Sequence, residues 1–378
     1  MIMGAVPFQI YDLTRDTLNL AYIGLATFAP AVGFALFTGY VADLFDRRLV
    51  IAICFGLIAT ASILLLVLSL TGFSQIWPAF LILAIMGTGR AFYQPAANSF
   101  VPNLVPAEIF PNAVAWHTST NKIAQTVGPA IGGVVYELYG PEIVYGSAAI
   151  GITIGTLIVL FIRTHTTREL REPTTLSVLL AGIRYVFQKK IVLGAITLDL
   201  FAVLLGGVTI LLPVYAIDIL HVGAAGAGFL RSAIAAGSLV TGLALTLITM
   251  ERSVGIILYV SIILFGAATI LFGLSEIFWL SVLAMLIVGV ADMVSVYIRV
   301  TLIQIATPDE MRGRVSAVNS VFTGASNEIG EARAGAMATL IGPVAAVVFG
   351  GVCSILVTII CWRLFPALTQ VQRMDKSL

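Results

Sequence analysis

The residues able to do chemistry in this chain are ionisable and amide side chains set inside long apolar runs. Arg90 and Asp292 lie mid-run, 202 residues apart; Asp199 and Arg299 lie in two such runs; Glu328, Glu331 and Arg333 crowd another. His117, Asn121, Gln125 and Pro129 recur every four residues, which sets them on one face of a helix. At the same 202-residue offset stand Asn319, Thr323, Asn327 and Glu331, so a polar stripe occurs twice. No nucleophile with a base, no H-E-x-x-H pair, no G-x-S-x-G elbow and no phosphate-binding loop accompanies them. His117, His165 and His221 are too scattered to hold a metal. The pattern points away from an enzyme and toward binding a solute and carrying a proton.

Such residues need elements to position them, and composition says which. Of 378 residues, 59% are hydrophobic and only 10% charged, whereas a soluble domain carries about 25% charged residues. That excludes a soluble enzyme, a nucleic-acid binder and a disordered chain. The net charge of +1 supplies no acidic or basic tail, and Cys54, Cys353 and Cys361 all sit in apolar runs. A membrane-crossing helix takes about 20 mostly apolar residues. Read with that length, the sequence predicts eleven spans, near 19–41, 49–70, 76–101, 110–137, 142–163, 191–217, 223–249, 254–274, 276–305, 312–337 and 340–366. Ahead of them lies a short apolar stub, Met1 to Tyr11, without the marks of a signal peptide.

Internal repetition orders these spans. Residues 81–133 superpose on 283–335 without a gap, matching Leu81, Ile85, Gly87, Pro106, Glu108, Ala115, Gly128, Ala130 and Gly133 to identical residues. The stub's PFQIYD (Pro7 to Asp12) likewise matches PVYAID (Pro213 to Asp218). Two six-span halves are expected, the stub being the end of a first span whose start is missing; a true eleven-span chain is the alternative. Two-fold symmetry then sets Arg90 and Asp292 at matching depths across a central cavity. An ionisable group at that depth costs about 2.5–3.5 kcal/mol on insertion scales, so each asks for a partner or a function. Helix-locking ion pairs are the plainer reading of any one of them.

The basic residues orient the chain. Connections on one side hold Arg47, Arg48, Arg163, Arg168, Arg171, Arg184, Lys189, Lys190, Arg252, Arg312, Arg314, Arg363, Arg373 and Lys376; the other side holds Arg15. Both termini and the central loop are expected to be cytoplasmic. In that loop, Leu176, Leu179, Leu180, Ile183 and Phe187 recur at helical spacing, predicting a surface helix with Arg184, Lys189 and Lys190 toward headgroups. The expected organisation is an N-terminal bundle over 1–163, a linker over 164–190, a C-terminal bundle over 191–366 and a tail over 367–378.

Two motifs and three further stretches carry a resemblance. The loop GYVADLFDRR (Gly39 to Arg48) resembles the first signature of the major facilitator superfamily, G-x-L-A-D-R-x-G-R-K: Asp43 and Arg47 match, while Leu44 and Asp46 replace an Arg and a Gly. The run AQTVGPAIGG (Ala124 to Gly133) resembles the antiporter signature G-x-x-x-G-P-x-x-G-G, with Ala124 in place of the first Gly. Physically, Gly128, Gly132 and Gly133 let another helix come close and Pro129 bends its own. RAFYQPA (Arg90 to Ala96), LDLFAVLLGG (Leu198 to Gly207) and TPDEMRGRVSAVNSVFTGASNEIGE (Thr307 to Glu331) resemble the branch that includes an enterobactin exporter and the transmembrane secretion effectors.

The resemblance implies an all-α integral membrane protein of the major facilitator fold, and a proton-linked exporter of siderophores or related amphiphiles. It is expected to act as a monomer in a bacterial cytoplasmic membrane, with a small-molecule substrate, the lipid bilayer around it and no nucleic acid. No cofactor is called for; the proton gradient supplies the energy. Arg90, His117, Asn121, Gln125, Asp199, Asp292, Arg299, Asn327, Glu328 and Glu331 are the candidates for the substrate and proton pathway. Gly39, Asp43, Arg47, Arg48, Gly128, Pro129, Gly132 and Gly133 are the candidates for the conformational change. The alternatives are a sensor or decayed transporter, motivated by the short first span, and a passive channel, disfavoured because two-fold repeats suit rocking bundles.

Overall fold

A computed structural model describes residues 1–34, 37–38, 41, 45–73, 75–100, 104, 110–162, 176–247 and 253–372, and these contain no strand. Gly39 and Asp43 of the first motif, and 164–175 of the linker, lie outside the described residues. Among the described residues, the long helices before the linker are α1 (Ile2–Thr14), α2 (Thr17–Gly33), α3 (Arg47–Leu70), α4 (Trp77–Phe100), α5 (Phe110–Tyr139) and α6 (Pro141–Phe161). After α7 (Leu176–Gln188), six-fold repetition resumes with α8 (Lys190–Gly206), α9 (Gly223–Leu247), α10 (Val254–Leu274), α11 (Phe278–Ile305), α12 (Asp309–Ile341) and α13 (Pro343–Leu364). A final turn, α14, covers Pro366–Thr369. Seven of the described spans are long and apolar enough to cross a bilayer by length and composition, and the chain is a multi-pass membrane protein. The polar stripes keep α5 and α12 out of that set, although at 30 and 33 residues they are the longest helices.

Local chemistry sets the boundaries. Asp16 caps α2 and Asp46 caps α3, each carboxylate accepting from the backbone N–H two residues on, at 2.9 Å. Gly140 and Gly342 sit at φ +85°, a conformation open to a residue without Cβ, and each is followed by a Pro that starts the next helix. These two turns are 202 residues apart, so the repeat persists past the segment where identities reveal it. Arg15 and His221, which share φ 52°, mark a second matched pair, at the ends of α1 and of the stretch following α8.

The predicted span 191–217 is broken: α8 stops at Gly206, and the chain continues through a 3-10 turn (Thr209–Leu211), one helical turn at Leu212–Val214 and a π turn (Tyr215–Ile219). The helix ends as Gly207 turns to extended backbone, and Gly206 beside it packs without a Cβ against the Ser354 hydroxyl and the Phe265 ring. The surface helix α7 forms as expected but is not free. A Cβ on Gly182 would stand 2.9 Å from the Arg314 carbonyl of α12, Val186 is buried, and the Tyr185 hydroxyl donates to the Ala306 carbonyl at 2.9 Å. The linker helix is therefore riveted to the second bundle, with Arg184, Phe187, Lys189 and Lys190 exposed.

The bundles touch chiefly along two helix pairs, α5 with α9 and α2 with α12, with α1 adding contacts to α9 and to Leu212–Val214. Under the repeat α5 corresponds to α12 and α2 to α9, so the two contacts are images of one another. Their cores show how they meet. One continuous apolar cluster draws on both bundles, from Ile2, Leu20, Leu65 and Met86 to Leu211, Leu230, Phe272 and Ala338. Toward the other end the core divides: Val50, Ile51, Cys54, Ala96 and Phe100 form one cluster, and Val192, Leu258, Ile298, Val315 and Cys361 form another. The molecule is joined at the end that carries Arg15 and split at the end that carries Arg47, Arg48, Arg312 and Arg314.

Candidate functional site: a cavity between the bundles

Between the halves lies a cavity of about 560 Å³, lined from the first bundle by Arg90 of α4 and Asn121, Lys122 and Gln125 of α5. Thr209, Arg231 and Ser238, with Asp292 of α11, line it from the second. Arg90 and Asp292, equivalent in the repeat, both reach it. His117 and Asn121 bond to each other at 3.1 Å, one helical turn apart, and Asn121 and Gln125 are exposed on the wall. Polar groups facing an interior space are the arrangement lipid exposure would penalise and water tolerates.

Arg231 is the residue whose place sequence reading missed. It follows Phe229 and Leu230 in a glycine- and alanine-rich helix and offers no motif. Its guanidinium donates to the Met3 carbonyl at 3.0 Å, and it shares its field with Glu331, Glu328 and Arg90. These four, two cations and two carboxylates on α4, α9 and α12, lie within one another's electrostatic reach. The signal available was arithmetic: Glu328 and Glu331 needed cations from another span, and Arg231 is one of five basic residues set within the predicted spans, beside Arg90, Lys122, Arg299 and Arg333. Arg333 is taken up elsewhere, donating to the Leu204 and Leu205 carbonyls at the broken end of α8.

Asp199 and Arg299 do not reach the cavity. They form an ion pair inside the second bundle, 6% and 2% exposed, tying α8 to α11. A small void beside the pair is lined by Asp199, Asp292 and Ser295. Asn327 is also set apart: it is exposed and donates to the Thr323 carbonyl on its own helix at 2.9 Å. The Arg48 guanidinium donates to the Ile162 carbonyl at 2.8 Å, fastening the start of α3 to the end of α6.

The glycines of AQTVGPAIGG sit where α5 crosses α9. A Cβ on Gly133 would stand 2.5 Å from the Ala224 carbonyl oxygen and 3.1 Å from the Gly228 Cα, and one on Gly228 would strike the Pro129 carbonyl. Backbone therefore lies on backbone. Gly128 and Gly132 instead face Met1, which precedes α1. Beyond the crossing, the joined end is latched by polar contacts between bundles. The Glu137 carboxylate accepts from the Ala224 N–H at 2.7 Å, at the N-terminus of α9, where a helix favours an anion. Arg15 bridges Asp12 and Asp218 at 2.8 Å each, Tyr11 also donates to Asp218, and the Thr17 and Thr339 hydroxyls meet at 2.7 Å. The ionic members are half-exposed, so the latch is worth about 1 kcal/mol. Glu137→Gln with Asp218→Asn is expected to raise the population open at this end by roughly fivefold, read as longer distances between spin labels on the α5–α6 and α8–α9 turns.

Comparison with known proteins agrees with this architecture. The family description "transmembrane secretion effector" matches residues 4–377. The enterobactin exporter EntS of Citrobacter koseri is 26% identical over 98% of this chain and 88% of its own, and that of Shigella boydii is 28% identical over 90% and 82%. Among solved structures, the nucleoside transporter NupG superposes with a TM-score of 0.74 at 14% identity, covering 98% of this chain and 96% of its own. The xylose transporter XylE of E. coli, in an inward-open conformation, gives 0.69 at 13% identity over 95% and 87%.

Proposed function

The chain belongs to the transmembrane secretion effectors, a family of major facilitator transporters, and we propose that it is a proton-coupled exporter of a siderophore-like or drug-like amphiphile. One observation carries the reading: a polar cavity between two bundles that are joined at one end and split at the other. That is the form of one state of an alternating-access cycle, with substrate near mid-bilayer between the repeats. The split end is the one rich in arginine and lysine, so the state is open to the cytoplasm, both termini lie inside, and the chain works as a monomer. Export runs by loading through the split end, breaking the latch at Glu137, Asp218 and Thr17, and closing the split end as α5 and α9 part at Gly133 and Gly228.

Glu331 and Glu328 are the proposed proton carriers, with Asp292 next. While both glutamates are ionised they balance Arg231 and Arg90. A proton placed on either leaves an excess positive charge beside the cavity, and that change in charge couples the proton to the cycle. The reading is supported by the relatives named as enterobactin exporters and by the inter-bundle position of the charges. Inverted vesicles containing the protein are expected to accumulate a catecholate siderophore or a lipophilic dye, and an uncoupler is expected to stop them. Glu331→Gln should abolish the dependence on the proton gradient; unchanged gradient-driven uptake would remove Glu331 from the assignment. A sensor without transport would leave wild-type vesicles empty across the whole panel.

A further inference from the structure

The stretch that meets the cavity at the joined end is the broken continuation of α8, Thr209–Ile219. Thr209 lines the cavity, and Leu212 and Pro213 line a small void that shares Thr209 and Arg231 with it. The far end of the stretch is tied across to the first bundle: Asp218 accepts from Tyr11 and Arg15, and Ala216 is buried in a cluster with Phe8. The near end follows a helix terminus that does not cap itself. The Gly207 N–H closes the last turn of α8 onto the Val203 carbonyl at 2.9 Å, and Gly207 then takes up extended backbone. The carbonyls of Leu204 and Leu205 come next, and a helix end offers them no further donors. Arg333 of α12 provides both, its Nε donating to Leu204 at 3.0 Å and its Nη2 to Leu205. The same turn of α12 lies on the break through its backbone. A Cβ on Gly330 would stand 2.9 Å from the Val203 carbonyl oxygen, and one on Gly207 would stand 3.6 Å from the Glu331 nitrogen.

From this we infer that Arg333 is a positioning residue of the transport cycle: it pins the hinge of Thr209–Ile219, which serves as the cavity's lid at the joined end. The inference deepens the transport reading above and rests on it for the opening of that lid. Two successive free carbonyls at a helix C-terminus call for a cation with more than one donor, and a planar guanidinium meets both where an ammonium is a single point. Position matters as much as charge. Arg333 and α8 belong to one bundle, so their bonds hold while the bundles part. The bonds of Asp218 to Tyr11 and Arg15 cross between bundles and must break. The lid is thus released at one end and kept at the other. The repeat supplies a comparison within the molecule. Residues 3–13, which match 209–219, run as one helix within α1, and the place of Arg333 is taken on α5 by Ile131. The cation stands only in the half whose helix is broken.

A buried reporter in the lid tests this. Ala216 is fully buried, and Ala216→Cys is small enough to leave the packing in place. Its reaction with N-ethylmaleimide is followed by mass spectrometry in nanodiscs, apart from Cys54, Cys353 and Cys361. The rate of such a reaction follows local opening. Arg333→Met, which leaves the Leu204 and Leu205 carbonyls uncapped, is expected to raise it at least about tenfold. Arg333→Lys keeps a cation at the hinge and should stay within about threefold of wild type. Gly330→Ala strains the same joint without touching a charge, and should raise the rate as well. Ala284→Cys, equally buried on α11, is the reference and should react at one rate in all of these backgrounds. If Arg333→Met does not fold, Gly330→Ala and Arg333→Lys decide the matter. A wild-type rate at position 216 in both Arg333→Met and Gly330→Ala would overturn the inference. So would a parallel rise at position 284, which would give Arg333 a role in the fold alone. Labelling needs neither substrate nor gradient, so a failure of vesicle export with this pattern intact would count against the exporter reading alone.

Discussion

Gly133→Leu is expected to lower transport by at least about tenfold while leaving the protein folded and in the membrane. At this crossing a Cβ would meet the Ala224 carbonyl oxygen and the Gly228 Cα, backbone atoms with no rotamer to yield. Overpacking a fitted contact costs about 1–3 kcal/mol. On the proposed cycle that cost falls on the joined state alone, because the two helices part in the opposite one. The equilibrium should therefore tip toward the state open at the Glu137 end, by a factor of roughly 5 to 150. Cysteine cross-linking between the α5–α6 and α8–α9 turns reads the conformation, and vesicle uptake reads the consequence. Gly151 on α6 has nothing within 4 Å of its would-be Cβ, so Gly151→Leu is the control and should behave as wild type. Wild-type uptake by Gly133→Leu would show that the α5–α9 crossing does not rearrange during the cycle.

The second large effect is on stability. Asp199→Ala strands Arg299, 2% exposed, inside the second bundle, and breaking a buried pair in this way costs about 3–5 kcal/mol. Replacing both, Asp199→Leu with Arg299→Met, removes the desolvation along with the attraction and should come within about 1 kcal/mol of wild type. Thermal unfolding in detergent distinguishes the two. The same double variant decides the pair's role, because neither residue lines the cavity. Gradient-driven uptake is expected to survive in it. Uptake that persists but no longer responds to an uncoupler would instead put Asp199 on the proton route, through the void it shares with Asp292.

Much of this was legible in one dimension. Spans are readable because lipid forces every backbone polar group into a helix and taxes each charge, so Arg90, Asp292 and the Asn121–Gln125 ridge stand out against their surroundings. The repeat was legible because two bundles of one fold keep their turns, down to Gly140 and Gly342 at the same φ. Partnership was not. Asp199 and Arg299 are 100 residues apart, and no spacing distinguishes an acid that faces a cavity from one that faces an arginine in the next helix. The break in the 191–217 span was equally hidden, since its residues are apolar on either reading and the residues packed on Gly206, Phe265 and Ser354, lie far along the chain.

Sequence alone determined that this chain crosses a membrane many times, that it is built twice over, and that a few costly side chains sit at its middle. Those are consequences of transfer free energy, which each residue contributes without reference to its neighbours. Only the tertiary structure decided that Arg231 stands in the field of Glu331, that Lys122 and Asp292 line one cavity from opposite bundles, and which end of the molecule is shut. Those depend on which helices lie side by side, and helix rotation and register are set by packing distributed over both bundles.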